Sequence, residues 1–418
     1  MSETLSATIR QAVVLDVANL ARHKYVYPEV GEKLARSIQA RLDQGSYDDV
    51  ADAGELATML TEDLRALSRD RHWSVVYQPR QAPANVDPEA EEEKTQRARW
   101  LAQARRNNFG FEKVQRLQGN VGYIALREFV RSEVAGDTAV AAVGFVTHCD
   151  ALIFDLRQNR GGNPSMVQLL TSYLFDAEPR HINTFYRRPT HDYQQFWTFP
   201  YVPGKRLPDV PVYVLTSHAT GSAAEEFAYN LKQMARATIV GETTVGAAHP
   251  VMVEMVQECF QVRLPYGRPI NPITEGNWEG AGVEPHIAVP QEDALKTAHL
   301  HALEWLITTC KDDSQVRTLE WEMEIVESQY MPITVEEASL SRCAGKYGKR
   351  SFAVEDGTLT YTHREHPAVW KLVPMTASRF RLDDELKFEF IVDEQGVASA
   401  VAISYRDGRP EITVARTK

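Results

Sequence analysis

Two strand-to-helix junctions in the sequence carry residues that could do chemistry. The first reads Asp155-Leu156-Arg157-Gln158-Asn159-Arg160-Gly161-Gly162. Glycines after a buried strand let backbone approach a ligand, and a following helix points free N–H groups at it. The same run also reads as a plain tight turn. The second junction runs from Leu215 to Glu226 (LTSHATGSAAEE), with Ser222 where the loop becomes a helix. A serine there can be an N-cap. It can equally be a nucleophile whose oxyanion is stabilised by the helix dipole and neighbouring amides. Spacing alone leaves both readings open. Glu225 and Glu226 fall in the first helical turn, where negative charge complements the dipole, and are given no catalytic role. His363 and His366, in HREH, lie in a turn-rich stretch and read as a solvated loop rather than a metal site. There is no HExxH, P-loop or dinucleotide fingerprint. No metal and no cofactor are expected.

These junctions belong to a middle region of alternating strands and helices. Val121 to Leu126 reads as a strand, and Ala135 to Val146 as a helix. Ala151 to Phe154 and Val212 to Leu215 are wholly apolar, the pattern of strands buried on both faces. Helices follow at Pro164 to Phe175 and Ser222 to Arg236, then a strand at Thr238 to Val240. The repeat is that of an α/β core. Phe260, Val262 and Leu264 alternate as in an added antiparallel hairpin, and a helix from about Glu292 to Thr309 closes the region. Upstream, Ile9-Val13-Val17-Leu20, Val30-Leu34-Ile38-Leu42 and Leu56-Met59-Leu60-Leu64-Leu67 recur at helical spacing and predict a bundle of three helices. A β-like run begins at Val75, and Pro79 to Lys94 has the composition of an exposed linker leading into a polar helix. Downstream, short alternating runs with Asp356-Gly357 and Asp407-Gly408 predict a small β-domain. The expected division is therefore a helical domain over 1–78, a linker and polar helix over 79–108, the α/β core over 109–330, and an all-β domain over 331–418.

A chain of 418 residues fits two or three domains at ~150 residues each. Its net charge of −11 argues against a broad nucleic-acid or anionic-membrane surface. No apolar run approaches the ~18 residues of a membrane span. Met1 to Thr4 lead into an amphipathic stretch without a long apolar h-region. A cytoplasmic location is expected, or a periplasmic or secreted one if the N-terminus is trimmed. Cys149, Cys259, Cys310 and Cys343 are widely spaced and read as free thiols.

Several segments, in order, resemble the C-terminal-processing (tail-specific) serine peptidase family. They are YVYP from Tyr25, DRH from Asp70, NVGYIAL from Asn120, the Asp155 to Gly162 turn, Thr216 to Tyr229, GETTVGAAH from Gly241 and GNWEGAGVEP from Gly276. The nearest likeness is to the branch of interphotoreceptor retinoid-binding protein modules and the tricorn core, without an intervening PDZ domain. The resemblance implies a βαβ crotonase/Clp-like superhelix. It implies Ser222 as nucleophile, with the amides of Ala223 and of Gly162 or Gly161 as oxyanion hole. No lysine lies in Gly241 to Pro250, where one branch carries its base. The resemblance therefore points to His72 as base supported by Glu279, with His249 as an alternative base. Arg71 stands where the tricorn-like pattern has a relaying serine. That leaves a direct Glu279–His72 contact, a water bridge, or a share for Asp70. Trp73 and Trp278 flank the proposed base and acid, and each reads either as pocket wall or as core.

The implied activity is cleavage of unfolded or short peptides, including C-terminal processing, through an acyl-enzyme. Two other readings stand beside it: a non-catalytic module for an apolar ligand, and a crotonase-like acyl-transfer enzyme, against which the Ser222 motif argues. The expected partner is a peptide or unfolded protein, not nucleic acid or membrane, and homo-oligomerisation stays open.

Overall fold

The computed structural model describes residues 5–78, 88–393 and 396–417. The expected linker composition at 79–87 lies outside them. By their contacts the residues divide into two compact units, one of 1–115 and 122–295, the other of 116–121 and 296–418.

The first unit opens with three helices, α1 (Ala7–Lys24), α2 (Pro28–Asp43) and α3 (Ala53–Ser68). They follow the periodicities read from the sequence. Ser6 and Asp52 cap α1 and α3 by accepting from the N–H of Ile9 and Glu55. The last turn of α3 ends in Arg69, left-handed at φ 58°, which swings the chain into Asp70-Arg71-His72. Strand β1 (Ser74–Tyr77) follows at once. After α4 (Pro88–Arg106) come β2 (Phe111–Leu117), β3 (Val121–Leu126), α5 (Ser132–Phe145), β4 (Ala151–Asp155) and α6 (Pro164–Tyr173). A hairpin of β5 (His181–Arg187) and β6 (Asp192–Trp197) precedes β7 (Val212–Thr216) and α7 (Ala223–Gln233). The unit continues through β8 (Ala237–Gly241), β9 (Val251–Val256), β10 (Phe260–Pro265), β11 (Gly267–Ile270) and β12 (Ile287–Ala288).

The central sheet has the order β12-β8-β7-β4-β3-β2. β4, β7, β8 and β12 run parallel, with Asp155 opposite Leu215 and Leu215 opposite Val240. β3, β4 and β7 are buried along their whole length, as uninterrupted apolar runs require. Because β4 and β7 are parallel neighbours in this register, the two loops singled out in the sequence leave the same edge side by side. That is where α/β sheets build their sites. Helix α7 packs against this sheet through Phe227, whose ring meets Phe129 at 5.6 Å and Phe154 at 5.3 Å.

The alternating run at Phe260 is β10, and it pairs on both sides: antiparallel with β9, as expected of a hairpin, and antiparallel with β1. The second pairing was not legible in sequence, because nothing local links residues 75 and 262. Its inner face joins the core of the three helices, where Trp73, Phe260, Val262 and Leu264 pack with Val17, Leu34 and Leu60. The β5–β6 hairpin was also not read. β6 is mostly polar and partly exposed, so it lacks a period-2 apolar signal.

The second unit carries helices Ala294–Thr309, Asp313–Tyr330 and Glu337–Cys343 and two antiparallel sheets of four and five strands. Phe352, Tyr361, Phe388 and Phe390 make its aromatic core. Asp356-Gly357 forms the expected two-residue hairpin turn, both residues at positive φ. His363 and His366 face each other across the next turn. No helix among the described residues is long and apolar enough to cross a membrane.

Phe227 is fully buried behind the N-terminal half of α7. Phe227→Ala should lower stability by about 3–5 kcal/mol. The check is a shift of the urea midpoint at unchanged slope.

Candidate active site

Ser222 stands between the loop after β7 and the first turn of α7. Its backbone is at φ 53°, ψ −121°, an uncommon conformation for a residue with a Cβ. Such strain persists only where surroundings hold it, and it gathers at functional sites. The holding group is Glu225. Its buried carboxylate accepts the Ser222 N–H at 2.8 Å, the Thr244 hydroxyl at 2.5 Å, and the N–H groups of Gly246 and Ala247 at 2.6 and 2.9 Å. Burial nonetheless pushes its pKa up against those four donors. The sequence reading gave Glu225 only a dipole role. The Ser-x-x-Glu spacing from Ser222 to Glu225 is the local signal of the tie to the serine.

The 155–162 turn lies directly against this loop. Asp155 is a buried brace: Arg157 grips both its oxygens at 2.9 and 2.7 Å, and the Tyr123 hydroxyl adds a bond at 2.6 Å. Asn159 donates to Leu126 O and accepts the Gly161 N–H at 2.8 Å. These residues therefore hold the turn. A Cβ on Gly161, at φ 112°, would stand 2.7 Å from Ser222 Cβ and 3.0 Å from Ala223 N. Only glycine permits that approach. Of the three amides implied for the oxyanion hole, that of Gly161 is engaged by Asn159. Among the described residues the N–H groups of Gly162 and Ala223 donate to no other group.

Asp70 joins two imidazoles. Its Oδ1 receives the His72 N–H at 3.0 Å and faces His72 Nδ1 at 3.1 Å. Its Oδ2 faces His249 Nδ1 at 2.7 Å and takes the Tyr25 hydroxyl at 3.3 Å. Asp70 is only 2% exposed, yet these donors outweigh the burial that would raise it and hold its carboxyl well below the usual range. Burial opposes the charged form of His72. The Asp70 hydrogen bond and charge, with Glu279 and Glu225 adding to them, overcome this and move its titration up.

Glu279 Oε2 lies 3.9 Å from His72 Nδ1 and 3.5 Å from His249 Nδ1, and accepts the backbone N–H groups of Ala248 and His249 at 2.7 and 3.2 Å. Among the alternatives that Arg71 leaves, the direct partner of His72 is therefore Asp70. Asp70, His249 and Glu279 offer ligand atoms within 4.8 Å of one another, a spacing that a cation could bridge. Those atoms already bond to one another, to Tyr25 and to backbone amides.

His72, Ser222, Ala223, Gly162 and His249 all line one cleft of about 1100 Å³. His249 is buried, and among the described residues its Nε2 has no hydrogen-bond partner. Trp278 also lines the cleft, while Trp73 stacks on Tyr25 inside the helical core. Ser217 lines it too, but its hydroxyl is taken by Arg157 O. Ser165 bonds Ser132 and Glu133 instead. A strained serine at a helix N-terminus, free amides beside it and an imidazole held by a buried carboxylate can together carry acyl transfer.

Comparison with known proteins agrees with this chemistry. Residues 120–289 match the model of peptidase family S41, and residues 4–106 match that of the N-terminal domain of peptidase S41 in eukaryotic IRBP. A candidate peptidase from Parabacteroides merdae is 18% identical, with a TM-score of 0.53 over 73% of this chain and 98% of its own. Mature CPAF, solved with lactacystin, is 12% identical, with a TM-score of 0.50 over 72% of this chain and 98% of its own. The photosystem II D1 C-terminal processing protease is 15% identical, with a TM-score of 0.43 over 69% and 94%. At such identities the likeness to the first two is one of fold. With its N-terminal domain and its α/β region both matched, together nearly two thirds of its length, the chain belongs to peptidase family S41, a family of serine peptidases.

Proposed function

We propose that the chain cleaves unfolded or short peptides through an acyl-enzyme on Ser222, with His72 as general base. The observation that carries this reading is the shared cleft of Ser222 and His72, with Asp70 on His72 Nδ1. Held through Nδ1, the imidazole keeps Nε2 for the proton of the serine hydroxyl and later returns it to the leaving amine. Asp70 orients the ring and stabilises the imidazolium. Glu279 adds charge from 3.9 Å and fixes the 248–249 backbone. The amides of Ala223 and Gly162 bind the oxyanion. His249 anchors the second oxygen of Asp70. Processing from a substrate C-terminus is the finer form of the proposal. The apolar-ligand reading is set aside, because Arg160, Glu226, Glu242 and Arg263 line the same cleft.

A fluorophosphonate probe should modify Ser222 and no other serine, read by peptide mass mapping. Ser222→Ala should abolish both labelling and peptide turnover with the circular dichroism spectrum unchanged. Label on another residue, or turnover by the alanine variant, would sink the assignment.

A base must be neutral to accept a proton, so kcat/KM should rise with pH. Because Asp70 raises the titration of His72, the midpoint should lie above the ~6.5 of a free imidazole. Asp70→Asn should move it down. His72→Ala should cost several orders of magnitude, on the ~10⁴–10⁶ scale of triad removal. Glu279→Gln should cost less, since it transfers no proton. The decisive pair is His72→Ala against His249→Ala: if only the second is dead, His249 is the base.

A further inference from the structure

Glu226 has no part in this scheme, yet it lines the cleft. It lies four residues after Ser222, in the first turn of α7. It is 3% exposed. Among the described residues the only hydrogen bond of its carboxylate is a long one, 3.4 Å from Asn183 Nδ2 on β5, and no cation lies within ion-pair distance. The adjacent Glu225 receives four donors, so the two acids differ in kind. One is satisfied by the fold and the other is not.

A buried carboxyl without a cation is costly and shifts toward its neutral form. Burial, only partly offset by Asn183, pushes Glu226 up to about 7. The arginines of the same cleft, Arg160 and Arg263, are exposed and remain outside ion-pair distance. Asn183 is itself fully buried and spends its oxygen on the Thr184 N–H, which fixes its amide toward Glu226. Phe185, two residues on along β5, lines the cleft beside them. Within the cleft, Phe185 and one unpaired acid thus stand together, about one helical turn from the serine. Their chemistry suits a long aliphatic stem that ends in a cation.

We infer that Glu226 is a specificity-determining residue that pairs with a lysine or arginine side chain of the substrate next to the bond attacked by Ser222. The bound cation would supply the missing partner and ionise the acid. Substrates without one would leave it buried and unpaired. This inference rests on the peptidase reading and deepens it.

The test uses the full chain and three peptidyl diphenyl phosphonates that differ only in the terminal side chain: lysine, arginine or norleucine. A simple fluorophosphonate without peptide is run alongside. Inactivation by the basic probes should exceed that by the norleucine probe about a hundredfold, the scale of a desolvated charge pair. Glu226→Gln should bring the ratio close to one, and Glu226→Lys should turn it against the basic probes. A wild-type ratio near one overturns the inference without need of a variant that folds. So does a hundredfold ratio that survives Glu226→Gln. If the simple probe also leaves Ser222 unmodified, the peptidase reading itself has failed and this inference falls with it.

Discussion

The site depends on one carboxylate that is almost wholly buried. Asp70 must stay ionised while buried, which is expensive unless every lone pair is met. Two imidazoles, one backbone amide and one tyrosine hydroxyl meet them. They come from three different parts of the first unit: the turn after α3, the loop before β9, and the turn between α1 and α2. The carboxylate thus fixes the ring of His72 and at the same time ties three segments together. Removing it would leave two imidazoles without orientation, so its loss should reach the fold as well as the chemistry.

A second carboxylate does similar work on the other wall. Glu225 gathers the Ser222 amide and the 244–247 loop. That loop leads directly to His249 and so to Asp70. The serine side and the histidine side are therefore connected through backbone held at both ends by buried acids. This kind of support is what keeps reacting groups within the narrow tolerances that catalysis needs.

Much of this was legible in the sequence, for identifiable reasons. The apolar runs at 151–154 and 212–215 mark strands buried on both faces, and parallel neighbours necessarily bring their following loops together. The pairing of the Gly161 turn with Ser222 follows from that. The helices of the first 68 residues were legible from period alone. What was not legible depends on contacts distant in sequence. The pairing of β1 with β10 has no local trace. The choice of Asp70 over Glu279 as the direct partner of His72 rests on 3.1 against 3.9 Å, a difference no spacing encodes. Glu226 looked like a dipole-complementing residue because sequence shows a helix position but not which face is buried.

His72 sits on the segment that joins α3 to β1, and β1 is secured by β10, nearly two hundred residues later. The contact between His249 and Asp70 spans 179 residues, and Glu279 lies later still. On a ribosome the histidine is made early and its anchors late. Until the chain has grown past Pro265, Asp70 has no His249 to bind or β1 no complete partner to pair with. The nascent polypeptide therefore carries the serine and the histidine in an unassembled state. The parts of the site therefore come together only once nearly all of the first unit has been made, an order set by how far apart in the chain they lie.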